Sequence, residues 1–391
     1  MNVLVVNAGS STLKYQLIDT KTHKVSAKGS CERVGFTGGT FTHTCNGEPK
    51  VTDNIEFPDH KVAIEAVLND LNAHEVKIDG IGHRIVQGGW YFGDSSLVDD
   101  DVLAKIREVA PLAPLHNNPE ANVIEYCLEQ YPELPNVTVY DTAFHFNMPK
   151  VASTYALPKD VCDKLHIRKY GAHGTSYRYI AQKVAEMNPK AHKVVVCHIG
   201  SGASLCAIED GKCMDTTMGL TPLDGIMMGT RCGSIDPATV CYLQREGGYT
   251  YDEVDDMMNK QSGLLAVSGK TNDCRNVEEL AAGGDEDAQL AFDMFVYKIA
   301  AKAAEMATSM CGMDTLVFTA GIGEHAPAVR AGVADRLAWM GVKMDHAKNA
   351  LRAEGAWCLS TADSPVKIYV IPTDEEFMIA SDVERIVSAT R

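Results

Sequence analysis

The sequence predicts an α/β protein built from two domains with related cores. Short valine- and isoleucine-rich runs alternate with amphipathic helical stretches. One strand–turn–strand pattern recurs about half a chain later. The chain has 391 residues with 45% hydrophobic content, more apolar material than one compact α/β core needs.

The strands are the apolar runs Val3–Val6, Val137–Tyr140, Val194–Cys197, Leu316–Phe318 and Val366–Ile371, each bounded by Gly, Pro or Asp. Helical faces lie between them. Ile64, Val67, Leu68 and Leu71 fall at i, i+3, i+4, i+7, as do Ile124, Cys127, Leu128 and Tyr131 after an Asn118-Pro119 start. A longer helix is expected over 286–311, with Phe292, Phe295, Val296 and Ile299 on one face. The last helix is expected to open on a capping box, Thr373-x-x-Glu376, and to bury Ile379, Val383 and Ile386. The repeat pairs Leu4–Ile18 (LVVNAGSSTLKYQLI) with Val194–Ile208 (VVVCHIGSGASLCAI). Small residues between two apolar strands predict a hairpin in each copy. The boundary is expected near Pro149–Pro158: residues 1–150 with 373–391 form one domain, closed by the C-terminal helix, and 151–372 the other.

A net charge of −16 disfavours nucleic acid and anionic membranes as partners. An anionic ligand must therefore be captured by local cations and backbone N–H groups. Twelve cysteines at irregular spacings, with no C-x-x-C pair, suit reduced buried thiols better than a disulfide frame or a zinc site. No run reaches the length of a membrane span and no signal peptide is evident, so a cytoplasmic location is expected.

Glycine- and serine-rich turns at 7–12, 200–204 and 321–324 offer backbone N–H groups to an anion. One such turn is ordinary; three suggest a polyphosphate site. Ser268-Gly269-Lys270-Thr271 resembles the end of a P-loop, but Gly263 lies one residue too far upstream. Gly321–Ala326 fits the dinucleotide form G-x-G-x-x-A, which would suit a dehydrogenase. Its late position and the two hairpins argue against that reading.

Longer motifs decide the matter. Asn7–Tyr15 (NAGSSTLKY), His83–Val86, Leu112–Asn117 (LAPLHN), Asp141–His145 (DTAFH) and Tyr170–Ser176 (YGAHGTS) resemble, in order, the motifs of the acetate kinase family. So do His198–Ser204 (HIGSGAS), Met228–Pro237 (MGTRCGSIDP), Phe318–Glu324 (FTAGIGE) and Pro372–Glu376 (PTDEE), so that the resemblance spans essentially the whole chain. It implies the two-domain actin/Hsp70/sugar-kinase (ribonuclease H-like) fold, with a duplicated core, an interdomain cleft and a homodimer whose second domain binds nucleotide. The implied activity is reversible phosphoryl transfer from ATP to acetate, giving acetyl phosphate and ADP, with Mg²⁺ or Mn²⁺. Propionate or another short-chain acid is the alternative acceptor. A nucleotide switch of the actin/Hsp70 kind would need an extension for which no residues are spare.

The chemistry agrees with the resemblance. A carboxylate is ionised at neutral pH and needs no base to attack. It needs cations and donors that screen and align an anionic phosphoryl group. The resemblance assigns Arg84 and Arg231 to the acyl carboxylate and the phosphoryl group, where a planar fork outperforms a point charge. It assigns His173 to the phosphoryl group in the transition state and Asp141 to orienting an arginine or metal-bound water. Asn7 and Glu375 fall on the metal side; Glu376 is expected in the capping box. Lys14, His198, Ser201, Gly202, Asp273, Cys274, Arg275, Gly321, Ile322, Gly323, Glu324 and His325 resemble the nucleotide-binding residues. Val86, Leu115, Ala172 and Pro222 resemble the acyl pocket. The chain departs from the family pattern at Ala172 and Cys274 (phenylalanine is usual at both), Ser201 and His325 (asparagine), Gln87 (histidine) and Ser234 (aspartate). These bear on acyl-chain preference and nucleotide affinity, not on reaction class.

Overall fold

The computed structural model describes residues 1–390 and divides into two compact units. The first holds Met1–Phe146, His173–Ser176 and the C-terminal segment from Asp374; the second holds Asn147–Ala172 and Tyr177–Thr373.

The first unit is built on eight strands: β1 (Asn2–Ala8), β2 (Thr12–Asp19), β3 (Val25–Glu32), β4 (Gly39–Cys45), β5 (Glu48–Ile55), β6 (Gly80–Ile85), β7 (Ser96–Leu97) and β8 (Asn136–Tyr140). They lie in the order β5-β4-β3-β2-β1-β6-β8-β7. β1, β2 and β3 pair antiparallel, while β6 runs parallel to both β1 and β8. The second unit carries β9 (Lys193–Ile199), β10 (Ala203–Glu209), β11 (Lys212–Thr216), β12 (Thr315–Thr319), β13 (Trp357–Cys358) and β14 (Lys367–Val370). Their order is β11-β10-β9-β12-β14-β13, with β9, β10 and β11 antiparallel and β12 parallel to both β9 and β14. Five strands of each unit thus share one order and one set of directions, β3-β2-β1-β6-β8 and β11-β10-β9-β12-β14. This is the duplicated core of the expected fold. The two predicted hairpins are β1–β2, closing at Ala8 opposite Leu13, and β9–β10, closing at Ile199 opposite Ala203.

Amphipathic helices seal each sheet. The helix His60–Ala73 is capped by Asp59, whose carboxylate accepts from Val62 N at 3.0 Å, and buries Ile64, Val67, Leu68 and Leu71. Each such side chain contributes about 1.5–3 kcal/mol. In the second unit the helix Glu286–Ser309 buries Phe295, Val296 and Ile299 among small alanines.

Two helix starts differ from expectation. The C-terminal helix Glu375–Ala389 is capped by Asp374, which accepts from Phe377 N at 3.0 Å, and not by Thr373. Thr373 N donates instead to Glu324 Oε1. Aspartate caps at least as well as threonine, so the nearer residue takes the position. The helix bearing Ile124 begins at Pro114, not Asn118, with Pro119 inside it. Pro119 has no N–H to donate to Leu115 O, so the helix forgoes that one bond near its start. All twelve cysteines are free thiols, seven of them buried. Among the described residues no helix is long and apolar enough to cross a membrane.

Candidate functional site

The first unit assembles a polar cluster at the ends of β1, β6 and β8. Arg84 stands next to last on β6, and Asp141 directly follows β8. Adjacent parallel strands therefore bring their side chains together. Arg84 donates from Nη2 to Asp141 Oδ2 at 2.6 Å and from Nε to Oδ1 at 3.4 Å, and from Nη1 to Asn7 Oδ1 at 3.2 Å. Asp141 is fully buried and also accepts from Thr175 Oγ1 at 3.2 Å. Burial opposes the charge on Arg84, but Asp141, Glu375 and Glu120 outweigh it and hold the pKa above its ordinary value.

His173 belongs to the same unit and has a left-handed backbone, φ +58°. Strained backbone of this kind persists where the surroundings dictate it, often at functional sites. Gly174 follows, its N–H donating to Asp141 O at 2.7 Å; a Cβ there would stand 2.3 Å from that same oxygen. Any side chain at 174 would push His173 away from Asp141.

Glu375 opens the C-terminal helix. Burial raises its pKa to about 7; Arg84 opposes the shift, and Asp141 and Glu376 add to it. Its Oε1 is buried with no hydrogen-bond partner among the described residues. Glu376 is outside any capping box and lines a hollow of about 400 Å³ with Asn7, Lys14, Tyr15, Lys28 and His43. Of the N–H groups expected free in the 7–12 turn, that of Gly9 donates to Thr12 O. The Gly9 carbonyl accepts from His60 Nε2, a contact with no sequence signal. His83 is structural: burial lowers its pKa to about 4, and Nε2 donates to Asn136 Oδ1.

Val86 is buried, and its N–H donates to Glu120 Oε2 at 3.2 Å; Asn117 clamps Gln87 through both main-chain groups. Leu115 is exposed. Sequence reading missed Glu120, which lies on a helix beside a proline and resembles a solvated residue. It is buried, its Oε1 has no partner among the described residues, and burial raises its pKa well above the ordinary carboxylate value despite the pull of Arg84. Its proton is therefore retained in the fold to higher pH than in the unfolded chain. Its stabilising contribution is complete below the unfolded pKa, about 4.5, and is lost as pH rises toward the folded value. In urea unfolding, Glu120→Gln should lose less stability than wild type between pH 5 and pH 8, by about 1 kcal/mol or more. Parallel pH profiles would contradict this.

The second unit holds the other predicted residues. Arg231 lies in a loop pinned by the short helix Gly263–Ser268: Ser262 N donates to Thr230 O, Leu264 N to Met228 O and Leu265 N to Gly229 O. Its Nη1 donates to Pro222 O at 3.0 Å and contacts Met228 Sδ. Among the described residues no carboxylate pairs with it, and burial lowers its pKa.

A cavity of about 860 Å³ opens in this unit, a size that suits a nucleotide. Ser201, Asp273, Cys274, Arg275, Gly321, Ile322, Glu324 and His325 line it, as expected. Gly202, Gly323 and His198 do not, and Lys14 belongs to the first unit. The Gly323 carbonyl accepts from Arg330, itself a lining residue, at 2.9 Å. Asp273 and Arg275 satisfy each other through a two-pronged ion pair, with Asp273 also capping the helix Cys274–Ala282. The Cys274 thiol is pushed up to about 12 by burial and stays protonated. Sequence reading missed Arg330 and Trp357. Arg330 is buried with its donors on the carbonyls of Gly323, Glu324 and Asn349 and on Asn349 Oδ1; burial lowers its pKa to about 10. Trp357 Nε1 is a buried donor in the cavity wall with no partner among the described residues. Ala172 is buried at the edge of the residues this unit packs into its hydrophobic cluster.

Known proteins resemble the whole chain. The acetokinase family model matches residues 2–381. An acetate kinase from Thermoanaerobacterium thermosaccharolyticum is 44% identical over 402 residues, covering 100% of both chains. The crystal structure of Porphyromonas gingivalis acetate kinase shares 38% identity at a TM-score of 0.92, over 99% of each chain. A propionate kinase from Francisella tularensis has a TM-score of 0.92 and 41% identity, over 97% of this chain and 98% of that one. With the motif order and the duplicated sheets, these matches mean that the chain belongs to the acetokinase family.

Proposed function

We propose that the protein is an acetate kinase, transferring the ATP γ-phosphoryl group reversibly and in line to acetate. The observation that carries this reading is the pair of arginines. Arg84 is held rigid by Asp141 and Asn7, and Arg231 is a half-buried guanidinium without a counter-charge among the described residues. A desolvated, unpaired cation is costly unless an anion completes it. The acyl carboxylate and the phosphoryl oxygens are such anions. Asp141 acts on Arg84, fixing its fork, and has no proton to remove because the acceptor carboxylate is already ionised. His173 donates to the phosphoryl group.

The orphaned Glu375 Oε1 and Asn7, each acting on Arg84, fit Mg²⁺, which retains most of its waters and takes few protein ligands. When bound, the ion neutralises charge on the nucleotide phosphates. The 860 Å³ cavity takes the nucleoside, with Trp357 Nε1 as a donor to it. The family resemblance further supports a cytoplasmic homodimer.

The test is a hydroxamate assay for acyl phosphate across short carboxylates. Acetate with ATP and Mg²⁺ should turn over, and EDTA should abolish turnover. Pyrophosphate as sole efficient donor, or full activity in EDTA, would refute the reading.

The relative from Francisella tularensis keeps propionate in view as an acceptor. Ala172 lacks an aromatic ring found in the family pattern, and two aromatic side chains that could replace it, Tyr91 and Phe92, are engaged within the first unit. Phe92 stacks on Tyr140 at 4.2 Å, and the Tyr91 hydroxyl donates to Glu108. Each extra buried CH₂ is worth about 0.8 kcal/mol. Ala172→Phe should therefore lower the propionate-to-acetate ratio of kcat/KM severalfold to about tenfold. An unchanged ratio would sink the idea.

A further inference from the structure

We propose that His43, Cys45, Asp70 and His74 form a structural zinc site in the first unit. His43 and Cys45 sit two residues apart on β4 and so share its buried face. Asp70 lies in the last turn of the helix His60–Ala73, and His74 is its C-cap, four residues on and hence on the same side. The sheet and helix bring these two pairs together. Ligand atoms of His43, Cys45 and His74 all lie within 4.8 Å of one another. Asp70 Oδ2 stands 2.7 Å from His43 Nε2 and 3.4 Å from His74 Nδ1.

Two imidazoles, a thiolate and a carboxylate make a four-donor set that suits zinc far better than magnesium. Tetrahedral zinc, with bonds of about 2.0–2.3 Å, sets its ligand atoms about 3.3–3.8 Å apart. His43, Cys45 and His74 stand close enough to contract onto one ion, and Asp70, already beside both histidines, joins them by a side-chain rotation. His43 Nδ1 is hydrogen-bonded to the Tyr15 hydroxyl. That bond fixes the ring and leaves Nε2 toward Asp70, the outer support that a metal-binding histidine ordinarily has. Lys50 Nζ, 3.6 Å from Asp70 Oδ1 and largely exposed, is the competing cation and can swing into solvent. Four protein ligands leave no open position, so the ion would tie β4 to the helix and would not act in catalysis. No Cys-x-x-Cys spacing announces the site because its halves come from a strand and a helix.

The test uses the full chain, reduced and stripped with EDTA, titrated with Co²⁺ as the probe. A thiolate-to-cobalt band should grow to one equivalent, and Zn²⁺ should abolish it by competition and raise the thermal midpoint. Cys45→Ala should remove the band. His74→Ala should weaken cobalt binding at least about tenfold. His74 is at an exposed helix end, so that variant carries the test even if Cys45→Ala folds poorly. Absence of a thiolate band in wild type, a band undiminished in Cys45→Ala, or unchanged affinity in His74→Ala would overturn the site.

Discussion

Replacing Arg231 by alanine should lower kcat about a hundredfold or more, the scale of losing one donor to developing transition-state charge. The unfolding midpoint should hold or rise slightly, because the substitution removes a desolvated cation that no carboxylate among the described residues balances. Arg84→Ala should cost as much in kcat but also destabilise the fold, by about 3 kcal/mol. Its partner Asp141 is fully buried and would be left without a counter-charge. Steady-state kinetics with urea unfolding on both variants separates the two cases. Near-wild-type kcat in either removes that arginine from the reaction.

Gly263→Ala should be the most damaging small substitution outside the charged residues. Gly263 has φ +67°, and a Cβ there would lie 2.1 Å from Met228 O and 2.9 Å from Arg231 O. The backbone must move, and the loop that aims Arg231 must move with it. A loss of about 2–4 kcal/mol is expected, with kcat lowered about tenfold or more by misplacement of the guanidinium. Gly269 is the control: its φ is +65°, but nothing lies within 4 Å of a Cβ there. Gly269→Ala should cost only about 1 kcal/mol and leave kcat intact. Equal effects at the two positions would show that backbone strain, not the loop contact, is responsible.

Gly263 also shows where sequence reading ends. In the linear chain it is a glycine one residue out of place for a P-loop. In the fold it is the contact that seats residues 228–231. Glu120 was equally hidden, since a helical glutamate is ordinarily solvated. Its partner is the Val86 N–H, 34 residues away just after β6. Arg330 and Trp357 lack any local pattern that would put them in a cavity wall. The error at the last helix was smaller: Thr373 and Asp374 both cap well, and only the backbone path, with Thr373 N turned to Glu324, chose between them.

By itself the sequence determined the elements and their duplication. Apolar periodicity and turn residues act over a few positions, and the two hairpins carry the same signal in both halves. It also determined the reaction class, because long motifs preserve charged residues whose chemistry can be reasoned without coordinates. Tertiary structure alone decided which of those charges are paired. Arg84 has Asp141 and Asn7, 57 and 77 residues away, whereas no carboxylate among the described residues pairs with Arg231. It alone set the protonation of Glu120 and Glu375, since burial and neighbouring charge act through space and a linear chain records neither.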